Sequence, residues 1–291
     1  MSENDTLFCH EGAQCNEQMI RVDNCTKLRV ISYAPAFPAE NIDIVFVGGL
    51  STVLDSFGQI IHELTRDFPF HYIETRDCSS SQIEGEGTFD IETSGRDIVG
   101  IVHKLGLKEN GYVLMGYSLG ATMIADGYRF LKTKPRRLIL LEPTPVFHYP
   151  KLGLKVAKAT LNFKVKPLKP FVNWYIRNFV IDKKKDAEMV RISKKAIDSS
   201  DPVKLKKTIL AISDYKVWDK LADIDRPVLI IGASMDKFHV HDETMRMVLS
   251  LKNCNYIDLE NNKRSHSTEA AHLIRENIKS EKKMEYSTTP S

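Results

Sequence analysis

Four short and nearly unbroken apolar runs, IVFV at 44–47, YVLM at 112–115, LILL at 138–141 and VLII at 228–231, constrain this chain more than any other feature. An apolar run too short for a helix, with no polar alternation, suits a β-strand covered on both faces, as parallel strands are. Helical patterns separate the runs: "SFGQIIHELTRDF", "DIETSGRDIVGIVHKLG" and "GATMIADGYRFLK". Repeated strand–helix units predict an α/β fold, a mostly parallel central sheet flanked by helices. "QMIRV", "KLRVISYA", "FHYIE" and "NCNYIDLE" read as further strands.

The rhythm changes between 146 and 224, where only helical patterns appear. Within it, residues 151–220 hold 18 Lys and Arg against 7 Asp and Glu, a balance of +11, while the rest of the chain carries 23 against 31. The net charge of +3 therefore hides a concentrated basic insertion. The reading is an α/β core at 18–145 and 225–278, a helical basic cap at 146–224, a poorly defined segment at 1–17 and a disordered tail at 279–291. No apolar run approaches the roughly 20 residues a bilayer span needs. The opening Met-Ser-Glu-Asn-Asp also lacks the basic-then-apolar pattern of a secretory signal, so a cytoplasmic protein is expected. Five cysteines, an odd and scattered count, read as reduced thiols. Cys9, His10 and Cys15 cluster without a second ligand pair, and no metal is expected.

The chemistry is carried by Gly116-Tyr117-Ser118-Leu119-Gly120, where the run YVLM ends and a helical pattern begins. A G-x-S-x-G sequence between strand and helix is the pattern of a nucleophile elbow. Its glycines let a sharp turn pass close to its neighbours, and its serine stands at a helix N-terminus that favours developing negative charge. In such an architecture one oxyanion donor is the N–H after the nucleophile, here Leu119. The other follows the third strand, in "VGGLST", where Leu50 is the candidate. Among nine histidines, His62, His103 and His272 fall in helical patterns, whereas His266 lies in a polar loop before the last helix. Asp236 follows the run VLII directly. Ser118, Asp236 and His266 thus occur in a workable order for nucleophile, orienting acid and general base.

With "FVGGL", "GYSLGA", "RPVLIIGASMD" and "SHSTEAAHL" in this order, the chain resembles the α/β-hydrolase superfamily. The likeness is to its cap-bearing members related to small-ester and carbon–carbon hydrolases, and it runs from about Gln18 to Ile278. The resemblance implies a serine hydrolase cleaving an ester, thioester or related acyl substrate with no metal or organic cofactor. Gly48-Gly49 stands where the family usually has His-Gly, and "ETRDCSSSQ" replaces a glycine-containing loop. Glu142 occupies the place where some members keep their acid, so it is the alternative to Asp236.

The cap contains Phe171, Trp174, Tyr175 and Phe179 at helical spacing beside Lys164, Lys166, Lys169 and Lys183 to Lys185. This pattern is compatible with three roles. It packs the cap on the core, it forms an acyl pocket whose lysine rim draws a CoA- or carrier-bound acyl group, or it makes weak contact with an anionic membrane surface. Nucleic acid is not expected, since no binding motif is present. Acyl transfer and a non-catalytic binding role stand as alternatives to hydrolysis of a small-molecule acyl substrate.

Overall fold

The structure is a computed structural model, and it describes residues 8–39, 41–160, 191, 195, 196, 199–236 and 239–280. Phe171, Trp174, Tyr175, Phe179 and the lysines from Lys164 to Lys185 named above lie outside these residues, as does the tail from 281 onward.

Nine strands form one sheet: β1 (Gln14–Arg21), β2 (Thr26–Ala34), β3 (Asp43–Val47), β4 (Phe70–Ile73), β5 (Gln82–Ile83), β6 (Tyr112–Tyr117), β7 (Arg137–Leu141), β8 (Val228–Gly232) and β9 (Cys254–Asp258). Their spatial order is β1-β2-β4-β3-β6-β7-β8-β9, with the short β5 paired to β2. The pairs from β4 through β9 are parallel, and those made by β2 are antiparallel. The four apolar runs are the contiguous strands β3, β6, β7 and β8 at the centre of the sheet.

Alternate residues of these strands feed two separate cores, because successive side chains of a strand point to opposite faces. Val45, Val47, Leu114, Leu138, Leu140 and Ile230 pack on one side with helices α2 (Ile91–Lys104) and α3 (Leu119–Gly127). Ile44, Phe46, Val113, Met115, Ile139 and Ile231 pack on the other with α1 (Gly58–Leu64) and the last helix. Both faces being buried explains why the strands are apolar without alternation.

Between β7 and β8 the described residues include α4 (Lys151–Ala159), α5 (Pro202–Ile212) and a 3₁₀ turn at Trp218–Asp223. Asp201 caps α5 by accepting from the N–H groups of Val203 and Lys204, with Pro202 at its first position. An isolated bridge from Ser200 to Cys78 ties this segment to the core, and a second, Val146 to Lys216, joins its two ends. After β8 come α6 (His241–Ser250), then α7 (Asn262–Ser265) and α8 (Thr268–Lys279) behind β9. No described helix is long and apolar enough to cross a membrane. None of the five cysteines, all of which are described, takes part in a disulfide.

Candidate active site

The turn between β6 and α3 places Ser118 at φ 51° and ψ −114°, a conformation that non-glycine residues rarely adopt. Its N–H donates to Leu141 O at 3.0 Å, so the turn is stitched to the neighbouring strand while the side chain stands clear of the sheet. The flanking glycines are required by close approach. A Cβ at Gly116 would lie 2.7 Å from Ile124 Cδ1 and 2.8 Å from the Ala121 nitrogen, and one at Gly120 would collide with the carbonyl oxygens of Val47 and Gly48. Such strain at a serine, held by surrounding packing, is a mark of function.

Ser118 Oγ lies 3.0 Å from His239 Nε2 and 3.1 Å from Thr144 Oγ1. The other ring nitrogen of His239 faces two carboxylates, Asp236 Oδ2 at 2.5 Å and Glu142 Oε2 at 3.1 Å. Asp236 and His239 share the loop after β8, three residues apart. Glu142 ends β7 at φ 42°, its N–H donating to Ile231 O at 2.7 Å. Asn262 Nδ2 donates to both Glu142 oxygens at 3.3 and 3.1 Å, and the Ser265 hydroxyl donates to Oε1. With its side chain fully enclosed, Glu142 is thus held by three separate donors.

These contacts fix the charges. Burial opposes ionisation of His239, but its hydrogen bonds to Asp236 and Glu142 and their negative charges outweigh it and raise the imidazole to about 9. Burial likewise opposes the charge on Glu142, yet the His239 hydrogen bond, the two nearby imidazoles and Ser265 hold it at about 2. Both shifts run in the direction that favours a protonated His239 beside an ionised Glu142.

Sequence order puts His266 in the role of base. The geometry instead brings His239 to Ser118, while His266 lies behind the site. Its Nδ1 donates to Asn262 O at 2.8 Å, and its ring stacks on Phe57 at 4.8 Å and meets Tyr117 edge-on at 4.8 Å. Burial lowers its pKa, and the Glu142 charge, 3.9 Å away, only partly offsets this. The physical reason is local: α7 begins at Asn262, shortly after β9 ends at Asp258, and His266 follows its last residue with its ring on the aromatic cluster of Phe57 and Tyr117. The sequence signal for His239 was the spacing Asp236-x-x-His239 in a turn, which lets a carboxylate hold an imidazole of its own loop. Glu142 and Asp236, weighed as alternatives from sequence, both reach the same nitrogen.

Leu50, Leu119 and Ser118 line one cavity of about 520 Å³. Leu119 opens α3, so its N–H belongs to the first turn, where no intrahelical acceptor exists. The Leu50 loop closes with Thr52 N–H donating to Gly49 O at 3.2 Å and Ser51 at φ 52°. It is pinned from outside, because Ser51 N–H donates to Asp77 Oδ2 at 2.8 Å and Asp77 in turn accepts from Thr75 Oγ1 at 2.6 Å. The loop carrying Asp77 is itself clamped to α2 by Arg76, whose guanidinium reaches Asp97 at 2.5 and 2.8 Å. The rest of the cavity is mainly apolar, with Pro143, Pro145, Val146, Phe147 and Val240 in its wall. Donor atoms of Glu142, Asp236 and His239 lie within 4.8 Å of one another, a grouping a metal ion could bridge. The 3.1 Å separation from Glu142 is that of an N–H···O hydrogen bond, and the 2.5 Å separation from Asp236 is shorter still.

The fold is the α/β-hydrolase fold. A hydrolase from Pseudomonas aeruginosa PA01 superposes with a TM-score of 0.73 at 14% identity, covering 92% of this chain and 99% of that one. The esterase EaEST from Exiguobacterium antarcticum gives 0.75 at 16% identity, covering 91% and 100%. The enol-lactonase from Burkholderia xenovorans LB400 gives 0.69 at 15%, covering 86% and 95%. No family model matches the chain, and no curated protein matches it in sequence.

Proposed function

We propose that the protein is a serine hydrolase that cleaves a carboxylic ester or related acyl compound, with Ser118 as nucleophile, His239 as general base, and Asp236 and Glu142 jointly orienting the imidazole. The observation that carries this reading is the 3.0 Å contact from Ser118 Oγ to His239 Nε2 at a strained strand-to-helix turn. Esterases and a lactonase among the proteins of similar fold support the reaction class.

The chemistry follows from the geometry. Once His239 is neutral, Nε2 takes the hydroxyl proton as Oγ attacks the acyl carbon, and the carbonyl electrons move onto oxygen. The Leu119 N–H faces this oxyanion, with Leu50 N–H as the second donor. Collapse expels the alcohol, which receives the proton from Nε2 and leaves Ser118 acylated. Water then repeats the sequence, the acid departs and Ser118 Oγ–H is restored. The two carboxylates stabilise the imidazolium formed in each half-reaction and keep Nδ1 protonated.

A fluorophosphonate probe tests the proposal: wild type and His266→Ala label at Ser118, whereas Ser118→Ala and His239→Ala do not. Labelling of His239→Ala at the wild-type rate would remove His239 from the role of base.

A further inference from the structure

A second cavity, of about 240 Å³, adjoins the catalytic one, and Thr52 lines both. It lies between the Ser51–Asp55 loop, the loop after β4 and residues 195, 196, 199 and 200. Its wall is more polar than that of the first, although Val53, Leu54 and Ala196 also line it. Six hydroxyls, those of Ser51, Thr52, Ser79, Ser80, Ser199 and Ser200, stand in the wall.

The charges in that wall are paired with one another. Lys195 Nζ reaches both oxygens of Asp55 at 2.7 Å, and Arg29 reaches Glu74 at 3.0 Å and Glu17 at 2.8 Å. The four charged residues of the wall, Arg29, Lys195, Asp55 and Glu74, balance in number, and Glu17 beside Arg29 adds a negative charge from outside it, which argues for a neutral hydrogen-bonding ligand rather than an anion. Ser199 and Ser200 donate their hydroxyl protons to Lys195 O and Ala196 O, and so turn lone pairs outward as acceptors. Independently, Ser51 Oγ is enclosed yet has no hydrogen-bond partner among the described residues. That oxygen is closed off from the cavity, so a ligand there supplies the partner only when the Ser51 side chain turns to another staggered position.

We infer that this cavity receives the alcohol half of the substrate, and that the substrate is an ester of a neutral polyhydroxyl alcohol with an apolar acid. The inference rests on the serine-hydrolase reading and specifies its substrate class. At about 30 Å³ per water-sized unit, the space holds about eight such units, enough for a glycerol or part of a sugar. The apolar cavity takes the acyl half, which stays attached to Ser118 after the first step. Ser79 and Ser199 are exposed at the polar cavity's edge, so the water-soluble alcohol has a route out before water attacks the acyl-enzyme.

The test compares three octanoate esters, of methanol, glycerol and glucose, at matched acyl group. The wild type turns over at least one polyol ester with kcat/KM more than 10-fold above the methyl ester, and the two polyols distinguish a glycerol from a sugar site. Ala196→Phe adds bulk to the wall without removing a hydroxyl. It abolishes the preference and leaves the methyl ester within about twofold. Should Ala196→Phe lose the methyl ester as well, Ser79→Ala decides, with a several-fold loss on the polyol ester alone. No preference in the wild type, or a preference that survives these changes, overturns the inference. Fluorophosphonate labelling of Ser118 separates the cases: labelling without preference removes only the substrate class, and no labelling removes the hydrolase as well.

Discussion

The Nε2 atom of His239 stands 3.0 Å from Ser118 Oγ although 121 positions separate the two residues. His266, the histidine that sequence order favours as base, spends its Nδ1 hydrogen bond on Asn262 O instead. Replacing each by alanine discriminates between them. His239→Ala should lower kcat on a p-nitrophenyl ester by about 10²–10⁴-fold, the range for loss of a general base. His266→Ala should leave kcat within a few-fold and reduce stability by roughly 1–3 kcal/mol, because it removes a ring packed on Phe57 and Tyr117. Steady-state kinetics and thermal melts check the pair.

Two carboxylates hold His239 Nδ1, so neither should be indispensable alone. Asp236→Asn and Glu142→Gln are each expected to cost less than the double variant implies by addition, since each leaves one acceptor in place. Losses that simply add in log kcat would show the two acids acting independently. The Glu142 change also strands Asn262 and Ser265, so its thermal stability should fall more than that of Asp236→Asn.

The pH profile follows from the raised imidazole. Because His239 must be neutral to act, kcat/KM should climb as pH rises and level off only above about 9. Removing either carboxylate lowers this pKa, so the ascending limb of Glu142→Gln moves to lower pH. For stability the sign is opposite. The folded-state pKa exceeds the unfolded one, so this pairing stabilises the fold fully below about 6.5 and its contribution is lost as pH rises through about 9. Rate profiles and melts between pH 6 and 10 check both statements.

Asp77 is buried and holds the Ser51 N–H from behind the Leu50 loop. Asp77→Ala should loosen that loop and lower kcat by roughly 10- to 100-fold with KM little changed, as expected when an oxyanion donor is misplaced rather than substrate binding lost. Asp77→Asn keeps an acceptor for Ser51 and should recover most of the activity.

Much of this arrangement was legible in the chain itself. The runs at 44–47, 112–115, 138–141 and 228–231 announced buried parallel strands because a strand covered on both faces needs no polar alternation. Gly116 and Gly120 marked the elbow because any side chain there strikes backbone or packed atoms. Ser118 and the loop positions of Asp236 and Leu50 followed from their place at strand ends. Local pattern is enough in these cases because the constraint acts on residues near one another in sequence.

Which histidine meets Ser118 is a different kind of fact. His239 and His266 both lie in loops at the same end of the sheet, and sequence spacing does not say which ring points inward at the serine. The turn after β8 swings His239 over Ser118 and between Asp236 and Glu142, while α7 directs His266 into the aromatic packing of Phe57 and Tyr117. The union of Glu142 with Asp236 on one nitrogen, and the meeting of two cavities at Thr52, likewise join residues from distant strands and loops. The sequence by itself determined the central strands and the tight turn that carries Ser118. Only the tertiary structure decided the base and the paired acids, because a hydrogen bond depends on atom positions within a few tenths of an ångström, and these are set by packing across the sheet rather than by neighbours along the chain.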